Sequence, residues 1–322
     1  MAELKDKVQN ALDEGRILVL GTQVLIGFSY RAAFEENFTK LPVASQHLSL
    51  LELMLLLLAF ALLVTPSVYH RIVTRGEDTP GVHRVVTRLL LPVLLLLAAA
   101  MAIELFIAGE KVLGRTGGWV LGVSGGVVAL TFFYGMEIVA RHRRAPARQQ
   151  RMDMGSAEQR HGATELKDKI RHVLTETRVI LPGAQALLGF QFATMLTSGF
   201  DELPTSSKWV HLVCLALVSL CVILLLTPAA YHRIVEEGEE TERFHRFATH
   251  ILLVAVVPLA LALSGELYVV VRKVLDSVRV ALASAGACLV CCFGLWFGFT
   301  LTRRKRELEQ GDGTSARQQV QK

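Results

Sequence analysis

Apolar positions in this chain come in long unbroken runs instead of single helical stripes. Four such runs, at about 17–34, 48–69, 89–108 and 118–140, are followed by four more at about 179–200, 209–231, 250–271 and 280–302. Each has the length that an apolar helix needs to cross a bilayer, roughly 20 residues at 1.5 Å per residue. Short polar segments separate them. The first run carries Arg31 near its end and is the weakest of the eight. The pattern predicts an all-α membrane protein with eight transmembrane helices.

The eight are two sets of four. Residues 164–310 fall onto the first half when moved back by 162 positions, without a gap. Thr65-Pro66-Ser67-Val68-Tyr69-His70-Arg71-Ile72-Val73 meets Thr227-Pro228-Ala229-Ala230-Tyr231-His232-Arg233-Ile234-Val235, and Glu3-Leu4-Lys5-Asp6-Lys7 meets Glu165-Leu166-Lys167-Asp168-Lys169. One constant offset over a whole domain length marks a duplicated domain. The expected divisions are a first four-helix repeat at 1–140, a basic linker at 141–163, a second repeat at 164–306 and a polar tail at 307–322. An even number of spans starts the second repeat on the same side as the first. The repeats are then parallel, related by a pseudo-two-fold axis along the membrane normal.

Charge sets the orientation. Of the 34 Lys and Arg residues, all but Arg31, Lys40, Lys111, Arg115, Lys208, Arg272, Lys273 and Arg279 lie on one side of this topology. The positive-inside rule places that side, with both termini, in the cytoplasm. The net charge of +5 is therefore a topology signal. No basic patch with reading elements accompanies it, so nucleic-acid binding is not expected. Each repeat opens with an apolar stripe among charges: Leu4, Val8 and Leu12 in the first, Leu166, Ile170, Val173 and Leu174 in the second. This stripe suits a cytoplasmic amphipathic helix in the headgroup region, or a helix that extends the first span.

The duplication also acts as a filter on candidate chemistry. The best-kept polar segment follows span two: Tyr69, His70, Arg71, His83 and Arg84 recur as Tyr231, His232, Arg233, His245 and Arg246. Histidine switches charge near neutral pH, and arginine clamps phosphate or carboxylate. A cytoplasmic gate, a haem or metal site and an anionic-lipid site are the functional readings. A tyrosine belt with snorkelling arginines is the structural one. No cofactor or metal is expected, because two histidines fall short of the four ligands of a structural zinc and facing helices offer no paired ligands for a haem.

Glu104 recurs as Glu266. It lies roughly 24 Å along its helix from Arg88, in the outer third of a bilayer. An intramembrane carboxylate is a candidate ion or proton carrier. Gln23 recurs as Gln185 within span one, where an amide either bridges helices or lines a pathway. The filter discards Glu52, replaced by Cys214, and Glu137, replaced by Phe299. It also discards all five cysteines, Cys214, Cys221, Cys288, Cys291 and Cys292, which lie only in the second repeat and read as small packing residues. Gly118, Gly122 and Gly126 form a small-residue face on span four, expected to pack between repeats or between chains as a candidate homo-oligomer contact. No phosphate-cradling loop, nucleophile elbow or two-His-one-carboxylate spacing is present, so the chain is not expected to be an enzyme.

The run Glu176-Thr177-Arg178-Val179-Ile180-Leu181-Pro182-Gly183-Ala184-Gln185-Ala186-Leu187-Leu188-Gly189-Phe190-Gln191-Phe192, with Leu226 to Ile234, resembles a bacterial family of small multi-pass membrane proteins known only as a domain of unknown function. The first repeat departs from it between Phe34 and Lys40 and lacks the counterpart of Pro182. The resemblance implies a bacterial inner-membrane setting and a fused double copy. Some members carry a sodium:proton antiporter label. It supplies no catalytic residues.

Overall fold

The structure is a computed structural model that describes residues 2–75, 77, 79–131, 166–234 and 241–306. The linker and the tail lie outside those residues. Every regular element among the described residues is helical: α1 (Ala2–Ala32), α2 (Val43–Ile72), α3 (Pro80–Leu130), α4 (Leu166–Thr194), the short α5 (Ser198–Asp201), α6 (Thr205–Ile234), α7 (Glu242–Leu275) and α8 (Val278–Phe293), which continues as a π-helical segment over Gly294–Phe299. Five of these helices are long and apolar enough to cross a membrane. Val120, Val123, Val127, Leu220, Ile223 and Val290 are exposed on their outer faces, as lipid-facing positions would be.

The helix α3 is two helices in sequence. Its backbone breaks at Gly114, with φ 76° and ψ 179°. Beyond the break the chain folds back, because a Cβ at Gly118 would lie 2.9 Å from the Phe106 carbonyl and one at Gly122 would lie 2.9 Å from Phe106 Cβ. The glycine face of span four therefore packs inside its own repeat, against span three, and not between the repeats. The matching turn of the second repeat, between α7 and α8, also needs a left-handed residue. There it is Asp276, 162 positions on from Gly114, with φ 48°.

The repeated Thr79 and Thr241 have a local cause. Both cap the next helix, Thr79 accepting from the Val82 amide at 3.4 Å and Thr241 from the Phe244 amide at 3.0 Å, which satisfies an orphan donor of the first turn. The repeated Thr-Pro pairs act similarly. Thr65 Oγ1 donates to the Ala61 carbonyl and Thr227 Oγ1 to the Ile223 carbonyl, both at 2.8 Å, one turn back beside the proline's gap in the ladder. The amphipathic openings are not separate helices. Residue 2 to Ala32 is one helix, and Leu166 to Thr194 runs unbroken through Pro182.

The repeats meet along α1 and α4. Phe28 and Phe190, equivalent by the 162-residue offset, face each other with ring centroids 4.5 Å apart. A second tie reaches across: Trp296, fully buried in the last helix of the second repeat, donates its Nε1–H to the Ala61 carbonyl of α2 at 2.8 Å and sets its ring edge-on to Phe60.

The turn geometry makes a direct prediction. A side chain at position 114 meets a backbone region that is essentially glycine-only, at a cost of roughly 1–3 kcal/mol. Gly114→Ala should lower the thermal midpoint of the detergent-purified protein. Gly286→Ala, where an added Cβ meets nothing within 4 Å, should not.

Candidate functional site

The sequence places four polar side chains from four helices at the end of the bundle away from the chain termini: Tyr30 near the end of α1, Gln191 near the end of α4, His211 early in α6 and Glu266 late in α7. All four are buried, Glu266 to 4 % exposure. Gln191 Nε2 donates to Glu266 Oε1 at 2.7 Å. His211 Nδ1 sits 3.1 Å from each Glu266 oxygen and 2.8 Å from the Tyr30 hydroxyl. His211 Nε2 faces the Gln191 carbonyl at 3.1 Å.

This geometry constrains the protons. A carbonyl only accepts, so Nε2 carries a hydrogen. Nδ1 and the carboxylate then hold one further proton between them. With it on Nδ1 the pair is an imidazolium and a carboxylate. With it on Glu266 the pair is neutral, and Nδ1 accepts. The Tyr30 hydroxyl can accept from Nδ1–H in the first state. In the second, Nδ1 has one lone pair and takes the proton of either Glu266 or Tyr30, so the cluster can hold its proton on either side chain.

The cluster is roofed. Phe200, on the short helix α5, lies 5.1 Å from the His211 ring, edge-on. Lys273 Nζ of α7 donates to the Gly199 carbonyl at 2.9 Å and lies over the Phe34 ring. A Cβ at Gly199 would collide with the Phe34 carbonyl, so α5 is seated with no room to spare.

The equivalent place in the first repeat is built differently. There Ser29, Ser49 and Glu104 stand where the second repeat has Gln191, His211 and Glu266, and Glu52 stands at the position of Cys214. These residues line a cavity of about 440 Å³. Glu52 is 7 % exposed and Glu104 is exposed. One glutamate of the repeated pair is thus sealed by three side chains, and the other opens on a chamber.

The other expected site residues scatter. Gln23 is 2 % exposed, wedged against Gly183 of α4 with no hydrogen bond among the described residues, while its partner Gln185 is exposed. Neither bridges helices by hydrogen bonding, and neither joins the glutamates. Tyr69, His70 and Arg71 are buried in the bundle. Arg71 does not snorkel to a surface. Tyr69 packs towards Phe299 of the other repeat, and Tyr231 stacks on Phe247. Arg84 and Arg246 are exposed, whereas His245 is buried. The side chains of His83, His232 and Arg233 lie outside the described residues. Among the described residues no group of three His, Cys, Asp or Glu side chains is placed to hold a metal. The five cysteines are free thiols, and Cys214 fills the space above Gly265.

Sequence reasoning missed Tyr30, His211, Gln191 and Glu52. All four differ between repeats, so the duplication filter removed them. A usable signal existed in each repeat taken alone: two carboxylates inside apolar helices in the first, and a histidine with a carboxylate in the second.

The cluster predicts a contrast between two glutamines. Gln191→Leu removes the amide that donates to Glu266 and should cost about 1–3 kcal/mol. Gln185→Leu, on an exposed face, should stay within about 0.5 kcal/mol. Denaturant unfolding in detergent followed by tryptophan fluorescence checks both.

A family model described as "Family of unknown function (DUF6328)" matches residues 3–137 and again residues 161–300. No curated protein and no solved structure matches the chain.

Proposed function

The chain belongs to this family twice over, and we propose that it works as a non-enzymatic, ion- or proton-coupled transport protein of the bacterial inner membrane. The observation that carries this reading is the buried Glu266–His211 pair, held by Gln191 and by Tyr30 of the other repeat. Ionisable groups are expensive inside apolar helices. A pair that shares one proton and sits in a bundle of membrane-length helices has the chemistry of a proton relay. The topology that fits is eight spans in two parallel repeats with both termini in the cytoplasm. The break at Gly114 supports it, by turning one 51-residue helix into an antiparallel pair. So does the shorter apolar helix Val179–Thr194 within α4, which lies beside α1.

Reconstitution tests the reading. Proteoliposomes carrying the protein should dissipate an imposed pH gradient faster than empty vesicles, with a dependence on monovalent cations. Glu266→Gln should lower that flux about tenfold or more, because an amide cannot take up the proton. Equal flux in the variant and the parent would remove Glu266 from the mechanism. No flux above empty vesicles would remove the transport reading.

A second reading has its own support. Arg84, Arg88, Arg243, Arg246, Lys305 and Arg306 are exposed at the end of the bundle that carries the termini. Basic side chains beside a bilayer attract anionic headgroups by about 1 kcal/mol each. As a lipid- or partner-binding scaffold, the protein should retain phosphatidylglycerol on purification. Arg84→Gln with Arg246→Gln should reduce the co-purified amount, measured by mass spectrometry, several-fold.

A further inference from the structure

The cavity in the first repeat is absent from the transport reading above, which concerns the sealed cluster in the second. Its volume, about 440 Å³, falls within the range of small-molecule sites. Its walls are apolar and aromatic over much of their area, with Phe28 and Phe38 among them. Into this apolar chamber project the carboxylates of Glu52 and Glu104. Neither has a hydrogen bond or ion pair among the described residues. Glu35 and Lys111 also line it, and Glu35 is paired to Arg31 at 2.9 Å. Three acids, Glu35, Glu52 and Glu104, therefore face two bases, Arg31 and Lys111, and the surroundings of the chamber keep a net negative charge. Glu52, 7 % exposed and without a hydrogen bond or ion pair among the described residues, is an unpartnered polar side chain on this wall, and Ser29, 8 % exposed, lines it too.

We infer that this chamber is a binding site for an organic monocation with an apolar body, an ammonium whose charge sits between Glu52 and Glu104 while its hydrocarbon part lies against Phe28 and Phe38. The chemistry favours this class over others. An anion would meet two carboxylates. A neutral apolar molecule would leave them uncompensated in a low-dielectric wall. A hard metal ion of the calcium type takes six to eight converging oxygens, and among the described residues no three His, Cys, Asp or Glu side chains converge to hold a metal. An ammonium needs only the nearby negative charge, and aromatic faces add to its attraction.

The comparison between repeats sharpens the assignment. At the same places the second repeat has Gln191, His211 and Cys214, which hold Glu266 and fill its space. The first repeat has two serines and a second glutamate. The exchange removes bulk and hydrogen-bond partners and adds negative charge, as a ligand site requires and a packing site does not.

The test is a binding measurement on the full chain in detergent, with radiolabelled benzyltrimethylammonium as probe and scintillation proximity as readout. The probe has a fixed charge and an aromatic body. Saturable binding to the parent is expected, with affinity reduced roughly tenfold or more by Glu104→Gln and again by Glu52→Gln. Glu104 is exposed, so its variant folds without a burial penalty, and an unchanged thermal midpoint verifies this. Neopentylbenzene, the uncharged carbon analogue, should compete poorly. Glu266→Gln should bind the probe as the parent does, which separates this site from the proposed relay: loss of proton flux leaves the binding result standing. Absence of saturable binding, equal competition by the neutral analogue, or parental affinity in the Glu52→Gln/Glu104→Gln double variant each overturns the inference.

Discussion

The contact between α1 and α4 is where the two repeats share backbone, and it rests on removing side chains. Lipid tails are as apolar as leucine, so helices in such a setting gain nothing from hiding apolar surface from each other. They associate where backbones come close and dispersion contacts accumulate. Gly27 supplies that place on α1, receiving the Phe190 ring, and Gly183 supplies it on α4, receiving Gln23. Each would be filled by a Cβ. From this seam α1 reaches α2 and α3, and α4 reaches α6 and α7.

The seam also breaks the symmetry that the duplication implies. Gly189 and Gly21, the counterparts of Gly27 and Gly183, meet nothing. Phe28 and Gln185, the counterparts of the inserted side chains, are exposed. One phenylalanine is thus locked into the seam while its twin is left to line the chamber. The difference propagates to the far end. Tyr30 points across from the first repeat to His211 of the second, while Phe192, at the equivalent position, is exposed. The repeats share a chain path and differ in what they enclose.

This explains which parts of the molecule were legible in the sequence. Helix positions and the 162-residue offset follow from local patterning, which both copies preserve. The recurrence of Glu104 and Glu266 singled out one member of the sealed cluster and one of the chamber wall. Their environments were not legible, because a carboxylate is defined by residues far away in the chain: Gln191 lies 75 positions from Glu266 and Tyr30 lies 181 from His211. Comparing the copies worked against finding them. Agreement between copies selects what the scaffold needs in both halves. Glu52, His211 and Tyr30 are places where the halves parted, and so were set aside. Tyr69, His70 and Arg71 show the converse. They recur in both halves, yet in the first repeat they are packed inside the bundle, where identity between copies reflects fit.

The tie from Trp296 to the Ala61 carbonyl has a consequence for how such a molecule is inherited. In an assembly of two identical single-copy subunits, every substitution arrives twice, and a tyrosine good for one interior must also be tolerable in the other. Covalent fusion, with each half docked on the other by its own distinct contact, ends that obligation. A histidine can arise in one half without its twin. The chain can then be read as a former pair of equals in which one partner became a closed interior and the other an open vestibule, each free to change without consent of its sibling.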